Sequence, residues 1–489
     1  MSRSPEPATM NASSPEPPVS LAQPQGEEPT AQEEISGRAD TVRTRGTAAP
    51  AVAPTRRQKL RGSSGRVAIL DGCRTPFCRA GGELCEMEAV DLAGVAAAEL
   101  VTRSGIDPSE LDRSVFGVVV PSQQTPNLGR EVVFRASLPM SLPGTTVNLA
   151  CASANRAIVS VAEAILLGEA EVGLAGGAES LSNVPLQFRR QAARRFVALS
   201  RARSAAERLA IGARFRLRDF APVPPAIAEY ATGLSMGEAC EKMAKENAIS
   251  RRAQDEIALL SHQRAAAAQA EGRFAGQIVA TFPPPTYDRA VLSDRGVRPD
   301  TTAEALAALP PAFDRRFGTL TAGNSSPLTD GGSAVLLASE KKAKALGIAP
   351  LGFIRSYAFA AVDPGGQLLQ GPAYAAPLAL DRAGLTLADI DLVEMHEAFA
   401  AQVLSNLKAF ASPRFAREEL GRSAPLGELD LERVNVNGGS IALGHPFGAT
   451  GGRLTIQLLA ELKRRNLQLG LLTVCAAGGH GFAMVVERA

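Results

Sequence analysis

At 489 residues the chain is too long for one average domain, and its 45% hydrophobic and 21% charged residues are ordinary for a globular protein. Lys plus Arg and Asp plus Glu nearly cancel, 52 against 50; Trp is absent and aromatics reach only 4%, so neither a basic field nor base-stacking rings point to nucleic acid. Six cysteines in so long a chain make no disulfide framework, and no apolar run reaches the ~18 residues of a membrane span.

Residues 1–64 are rich in Pro, Ser, Ala, Glu and Arg, show no hydrophobic period, and read as a disordered, solvated extension. Glu6, Glu16, Glu27, Glu28, Glu33 and Glu34 make it more acidic than a transit peptide, and it lacks the apolar core of a secretory signal. Order is expected from the strand Val67–Leu70, followed by a helix over Asp91–Leu100 and a strand over Val115–Val120. Cys73, Cys78 and Cys85 lack the tight spacing of a zinc site and read as ordinary thiols in a reducing compartment. The strand-like run Thr145–Ala150 leads into Cys151, after which Ile158, Val161, Ala162 and Ile165 recur at helical spacing. A further strand spans Val172–Gly177, and strands alternating with helices predict a largely parallel, covered sheet.

From Val184 to Phe313 the alternation fails. Arg189, Arg190, Arg194, Arg195, Arg201, Arg203, Arg208, Arg214, Arg216 and Arg218 are interleaved with Phe188, Phe196, Val197, Leu199, Leu209 and Ile211. This basic amphipathic stretch reads either as a solvated helical face or as a docking surface for an anionic membrane or an acidic partner. His262 lies in an Ala-rich helix, where a surface or capping role is expected. Beyond the excursion the scheme repeats: Ala383–Ile390 echoes Ser104–Leu111, and each echo precedes a strand-like run, which suggests duplication. His396 follows the strand Asp391–Met395; His445 sits in a glycine-rich stretch, Asn437–Pro446, before a helix through Leu454–Leu459. Both therefore fall at strand ends, where open α/β sheets place their sites. Cys475 ends the apolar run Leu471–Val474, and a last strand covers Phe482–Val486.

A thiol at a strand–helix junction gains from the partial positive charge of the helix N-terminus, but it still needs a base, and the chain holds four histidines. Two thiols and a histidine are the groups needed to break or form a carbon–carbon bond beside a thioester. Spaced along the chain stand Cys151-Ala-Ser-Ala, Ala175-Gly-Gly-Ala-Glu-Ser180, Ser261-His-Gln263, Gly323-Asn-Ser-Ser326, His396-Glu-Ala-Phe399, Gly444-His-Pro446 and Cys475-Ala-Ala-Gly-Gly479. In these motifs and their order, the region from Val67 to Ala489 resembles the thiolase family.

The resemblance implies an α/β fold of two duplicated βαβ-rich halves in a layered α-β-α-β-α core. The halves would span 65–183, completed by 314–340, and 341–489, with a mostly helical loop domain over 184–313. It implies acyl-CoA:acetyl-CoA C-acyltransfer through an acyl group on Cys151, with His445 as base, Cys475 as second acid/base, and His396 (through a bound water) with His445 stabilising the enolate. Backbone N–H groups of Cys151 and Ala477 would hold the tetrahedral oxyanion, and Ser326 and Met236 would touch the pantetheine arm of coenzyme A. Coenzyme A would be a co-substrate, with no permanently bound cofactor and no metal. His396 stands where Asn is commoner, and Ala477 where glycine is commoner; both are similar to the thiolase (beta) subunits of fatty-acid oxidation complexes, such as the mitochondrial trifunctional protein. That points to cleavage of 3-ketoacyl-CoA in β-oxidation, with acetoacetyl-CoA chemistry as the alternative and a catalytically inactive lipid-binding homologue as a third reading. The expected partners are acyl-CoA and CoA, a second copy of the chain or a higher oligomer, and a hydratase/dehydrogenase alpha subunit. Peripheral membrane contact through 187–218 is the sharper reading of the basic stretch. The expected location is cytoplasmic, with mitochondrial as the alternative. His480 is a loop residue with a possible site role, and Ser235 replaces a histidine found in some short-chain thiolases.

Overall fold

A computed structural model describes residues 65–223 and 228–489; the expected disordered extension over 1–64 lies outside the described residues. Strands β1 (Val67–Arg74), β2 (Cys78–Arg79), β3 (Arg113–Gly117), β4 (Gly144–Val147), β5 (Val172–Glu179) and β6 (Thr329–Ser339) precede β7 (Gly352–Ala361), β8 (Leu392–Met395), β9 (Leu469–Ala476) and β10 (His480–Arg488). They form one sheet in the order β4-β3-β5-β6-β1-β7-β10-β9-β8, with β2 beside β6; most of its pairings among the described residues are antiparallel, which corrects the largely parallel sheet expected from strand–helix alternation.

The order repeats about the β1–β7 seam. On one side β4, β3 and β5 are parallel and β6 is antiparallel to β5. On the other, β8 and β9 are parallel, β10 is antiparallel to β9, and an isolated parallel bridge from Val434 to Val393 stands where β4 stands in the first half. The seam is short: Val67–Ile69 against Ile354–Gly352. The echo noted in the sequence has a local cause. Helices Ala89–Ser104 and Gly371–Ala383 both end on a left-handed glycine, Gly105 (φ 67°) and Gly384 (φ 68°), which satisfies the last carbonyls without a Cβ clash. A single 3-10 turn then delivers the chain into β3 or β8.

Three apolar layers make the core. Helices Ala89–Ser104 and Leu128–Arg135 cover the outer face of the first half through Leu92, Ala96, Leu100 and Val132. Gly371–Ala383 and Ala400–Ala411 cover the second through Ala376, Leu380 and Val403. Between the halves lie Ser153–Leu166 and Thr450–Arg465, whose Ile158, Val161, Ile165, Leu454, Leu458 and Leu462 pack with both sets of strands. These are the central helices, and each burial of such a side chain contributes about 1.5–3 kcal/mol.

Their N-terminal turns meet where a Cβ on Gly451 would lie 2.1 Å from Asn155 Oδ1. Likewise a Cβ on Gly177 would lie 2.0 Å from the Gly448 carbonyl. Glycine is required at both contacts, and through them the loop Gly444–Ala449 sits down on the turn that carries Cys151.

Between β5 and β6 the described residues are helical or irregular, with helices Arg190–Arg201, Ala205–Gly212, Met236–Glu246, Arg251–Ala270 and Ala303–Ala307. Phe196 gathers Phe188, Phe215 and Phe220 at 4.9, 4.8 and 6.1 Å between ring centroids, tying the basic helices together. Arg195 is ion-paired with the buried Asp219, while Arg189, Arg190 and Arg194 are exposed.

His262 corrects the sequence reading. It is buried rather than on the surface, and its Nδ1 accepts the backbone N–H of Arg298 at 3.3 Å. Burial, then the Arg298 charge, push its pKa down to about 4.

Candidate active site

Cys151 lies just before the first central helix, after Ala150, whose left-handed φ of 45° turns the chain out of the β4 direction. Non-glycine residues pay on the order of 1 kcal/mol for that conformation, and such outliers gather at working sites. Ser153 holds the turn, its hydroxyl accepting from Leu149 N at 2.8 Å and donating to Ala150 O at 2.7 Å. His445 is held by both halves: its N–H donates to Pro327 O at 3.3 Å, and its Nδ1 lies 2.7 Å from Thr450 Oγ1. The two meet with His445 Nε2 3.1 Å from Cys151 Sγ.

His396 emerges from the end of β8 and is fully buried; its Nδ1 lies 2.9 Å from Ser440 Oγ and its ring centroid 4.1 Å from that of His445. Its Nε2 has no hydrogen-bond partner among the described residues. One ring nitrogen or sulfur from each of Cys151, His396 and His445 lies within 4.8 Å of the others.

Cys475 lies within β9, one residue further into the strand than its apolar run suggested, and is buried among Ala398, Phe399, Leu369 and Cys240. Its thiol is pushed well up by burial and then by the charge a Cys151 thiolate would carry. The adjoining loop turns through Gly478 and Gly479, both left-handed (φ 81° and 71°). This brings the Ala477 N–H onto the Cys151 sulfur, and Glu229 of the excursion accepts from Gly478 N.

Burial pushes Cys151 up to about 12, against which the N–H groups of Ala477 and Cys151 act in the opposite sense. His445 is pushed down to about 3 by burial and then by Arg453. His396 is lowered well below its ordinary value by burial, then by His445 and Arg453. The resting pair is therefore an uncharged thiol and an uncharged imidazole, with proton transfer coupled to attack on a substrate.

Ser326 N donates to Ala398 O at 2.9 Å, and Met236 packs against the apolar cluster that includes Ala398, Phe399 and Cys475. Ser235 caps the helix Met236–Glu246, its hydroxyl donating to Glu238 at 2.8 Å. His480 opens β10 opposite Ala476, with its ring against Gly478.

Several supporting groups had no role in the sequence reading, although their motifs were visible. Glu397, buried, accepts from Ser261 Oγ (2.7 Å), Asn435 Nδ2 (2.7 Å) and Ile441 N (3.2 Å), which ties the strand end bearing His396 to the loop before His445. Glu179 accepts from Val119, Val120 and Gly448 N–H groups at 3.1, 2.9 and 2.9 Å, and burial lifts it to about 7. Arg453, wholly buried, lies 3.5 Å from Glu394 and donates to Ser440 Oγ at 2.9 Å. A charged residue inside an apolar or glycine-rich run was the available signal.

Comparison with known proteins agrees with this arrangement. The profile of the thiolase N-terminal domain matches residues 67–341, and that of the thiolase C-terminal domain matches 348–488. The 3-ketoacyl-CoA thiolase of Yersinia enterocolitica is 50% identical over 422 residues, 86% of this chain and 97% of that one; the enzyme of that name from Yersinia pestis shows the same figures. Among solved structures, Bacillus anthracis acetyl-CoA acetyltransferase superposes with a TM-score of 0.75 at 34% identity, covering 88% of this chain and 100% of that one. Human mitochondrial 3-ketoacyl-CoA thiolase gives 0.74 at 33%, covering 87% and 99%. With matched profiles over nearly all the described residues, this chain belongs to the thiolase family.

Proposed function

We propose that this chain is a 3-ketoacyl-CoA thiolase, an acyltransferase that splits 3-ketoacyl-CoA with coenzyme A into acetyl-CoA and a shortened acyl-CoA. The observation that carries the reading is the 3.1 Å contact of Cys151 with His445, with the buried thiol of Cys475 two residues before Ala477. Cys151 gives its proton to His445 Nε2 and attacks the 3-keto carbon, whose oxyanion takes hydrogen bonds from the N–H groups of Cys151 and Ala477. Collapse breaks the C2–C3 bond, and its electron pair becomes the enolate of acetyl-CoA, stabilised by His396 and His445. Cys475 donates its proton to C2, then takes the proton of incoming coenzyme A as that sulfur attacks the acyl group. Cys151 leaves as thiolate and recovers its proton from His445. Ser326 and Met236 line the approach of the pantetheine arm.

Thiolysis measured across acyl lengths tests the substrate class. Efficient cleavage of the four-carbon substrate alone would favour the acetyltransferase reading, which the Bacillus anthracis structure keeps in view. Cys151→Ser should carry no acyl thioester by mass spectrometry; a normal adduct in that variant sinks the nucleophile assignment.

Residues 65–183 completed by 314–340, and residues 341–489, are the two halves in this reading, with 184–313 as the loop domain. The active form is a dimer or larger, working in the cytoplasm with a hydratase/dehydrogenase partner. No described helix is long and apolar enough to cross a membrane. The basic helices dock at a membrane surface or on that partner through Arg189, Arg190 and Arg194. Replacing these three with Gln should weaken liposome or partner binding, and unchanged binding to both would return this face to a solvated surface.

A further inference from the structure

We propose that the two site histidines are held in opposite tautomers: Thr450 leaves His445 Nε2 bare as a proton acceptor, while the Arg453–Ser440 pair makes His396 Nε2–H a donor. This rests on the catalytic reading above and adds three positioning residues to it.

Thr450 stands in the first turn of the second central helix, with its Oγ1 3.1 Å from Pro446 O, four residues earlier. Two oxygens at that distance repel unless the hydroxyl proton lies between them, the usual back-bond of a helical threonine. With its single proton so used, Oγ1 can only accept from His445 Nδ1 at 2.7 Å. A neutral imidazole carries one N–H, so the Nε2 that faces Cys151 Sγ at 3.1 Å is a lone pair. Burial and the Arg453 charge keep that imidazole neutral.

At His396 the polarity reverses. Arg453 Nη2 donates to Ser440 Oγ at 2.9 Å, and a guanidinium cannot accept in return. Ser440 is fully buried, and the acceptor that the described residues offer its own proton is His396 Nδ1, at 2.9 Å. A buried hydroxyl proton without an acceptor is penalised, so Nδ1 takes it and the ring proton resides on Nε2. That Nε2 is buried and has no partner among the described residues, on a ring that offers a nitrogen within 4.8 Å of Cys151 and His445. The thiol thus faces a base while the developing enolate faces a donor, although the two rings are 4.1 Å apart and identical in chemistry.

The two locks should separate two reactions: alkylation of Cys151 by iodoacetamide, which needs only the base, and thiolysis, which needs both. Thr450→Val is expected to slow alkylation and thiolysis alike by about tenfold, and Thr450→Ser to restore both to within about twofold. Ser440→Ala is expected to leave alkylation within about twofold of the parent and lower kcat by about tenfold. Parental alkylation in Thr450→Val, or equal loss of both reactions in Ser440→Ala, overturns the proposal. With four histidines in the chain, ¹⁵N-histidine NMR of the unsubstituted protein reads the tautomers directly, independent of how any variant folds. It should show one bare and one protonated Nε2 for this pair; the same tautomer in both rings also overturns the proposal. Cys151→Ser separates the two failures: thiolysis surviving in that variant removes the catalytic reading itself, whereas its loss alongside a null result for Thr450→Val removes only the tautomer assignment.

Discussion

Gly451→Ala tests whether the junction of the central helices sets the catalytic distance. The new Cβ would lie 2.1 Å from Asn155 Oδ1, 2.5 Å from Asn155 Cγ and 2.9 Å from Asn155 N. Ordinary contact needs more than a further ångström, and Asn155 is fully buried, so the two helical turns must move apart. Overpacking of this kind costs about 1–3 kcal/mol, partly offset by the ~1 kcal/mol that alanine gains over glycine within a helix. Net stability should fall by no more than about 2 kcal/mol. The same movement separates Cys151 from His445, now 3.1 Å apart, and a misplacement near 1 Å costs on the order of 100-fold in rate. Steady-state thiolysis and iodoacetamide alkylation, run beside thermal unfolding, should therefore show activity lost far out of proportion to stability. Adding Asn155→Ala removes the two closest atoms and leaves the 2.9 Å backbone contact, so rescue should be partial. A Gly451→Ala enzyme with parental activity would refute the argument that this contact sets the site.

Other outcomes follow from the same geometry. Cys475→Ala should slow turnover by 100-fold or more, on the order of what a lost acid/base group costs, while mass spectrometry still detects acyl-Cys151; parental turnover would remove the acid/base role. His262, lowered from 6.5 to about 4, stays neutral in the fold while the unfolded chain binds a proton, so its stabilising contribution is complete above pH 6.5 and is lost as pH falls toward 4. Denaturant titrations of His262→Gln should show an acid slope shallower by about 1.4 kcal/mol per pH unit in that window; an unchanged slope would contradict the buried, neutral ring.

Local patterns carried much of the architecture. Apolar runs marked β1, β5 and β9 because buried strands need continuous hydrophobic residues, and the Gly105 and Gly384 echoes exposed the duplication because both helices stop on a left-handed residue. The motifs placed Cys151, His396, His445 and Cys475 at strand ends or helix starts, with boundaries such as the end of β4 read three residues late, at Ala150 rather than Val147. His262 was misread because helical spacing says nothing of what packs over a helix, and the Arg298 segment covers it from about 36 residues away.

What the chain order alone determined was the inventory: which groups exist and which local element bears each. Only the folded molecule decided which of them act on one another. The 294 positions between Cys151 and His445 close to 3.1 Å because glycines at 177, 448 and 451 let backbones approach where any side chain would hold them apart. The proton arrangement of the two imidazoles is likewise set by hydroxyls from the second half of the chain, and no spacing rule encodes hydrogen-bond direction. Periodicity reports burial, because burial follows from solvent; chemistry between distant residues follows from sub-ångström contacts, which only packing fixes.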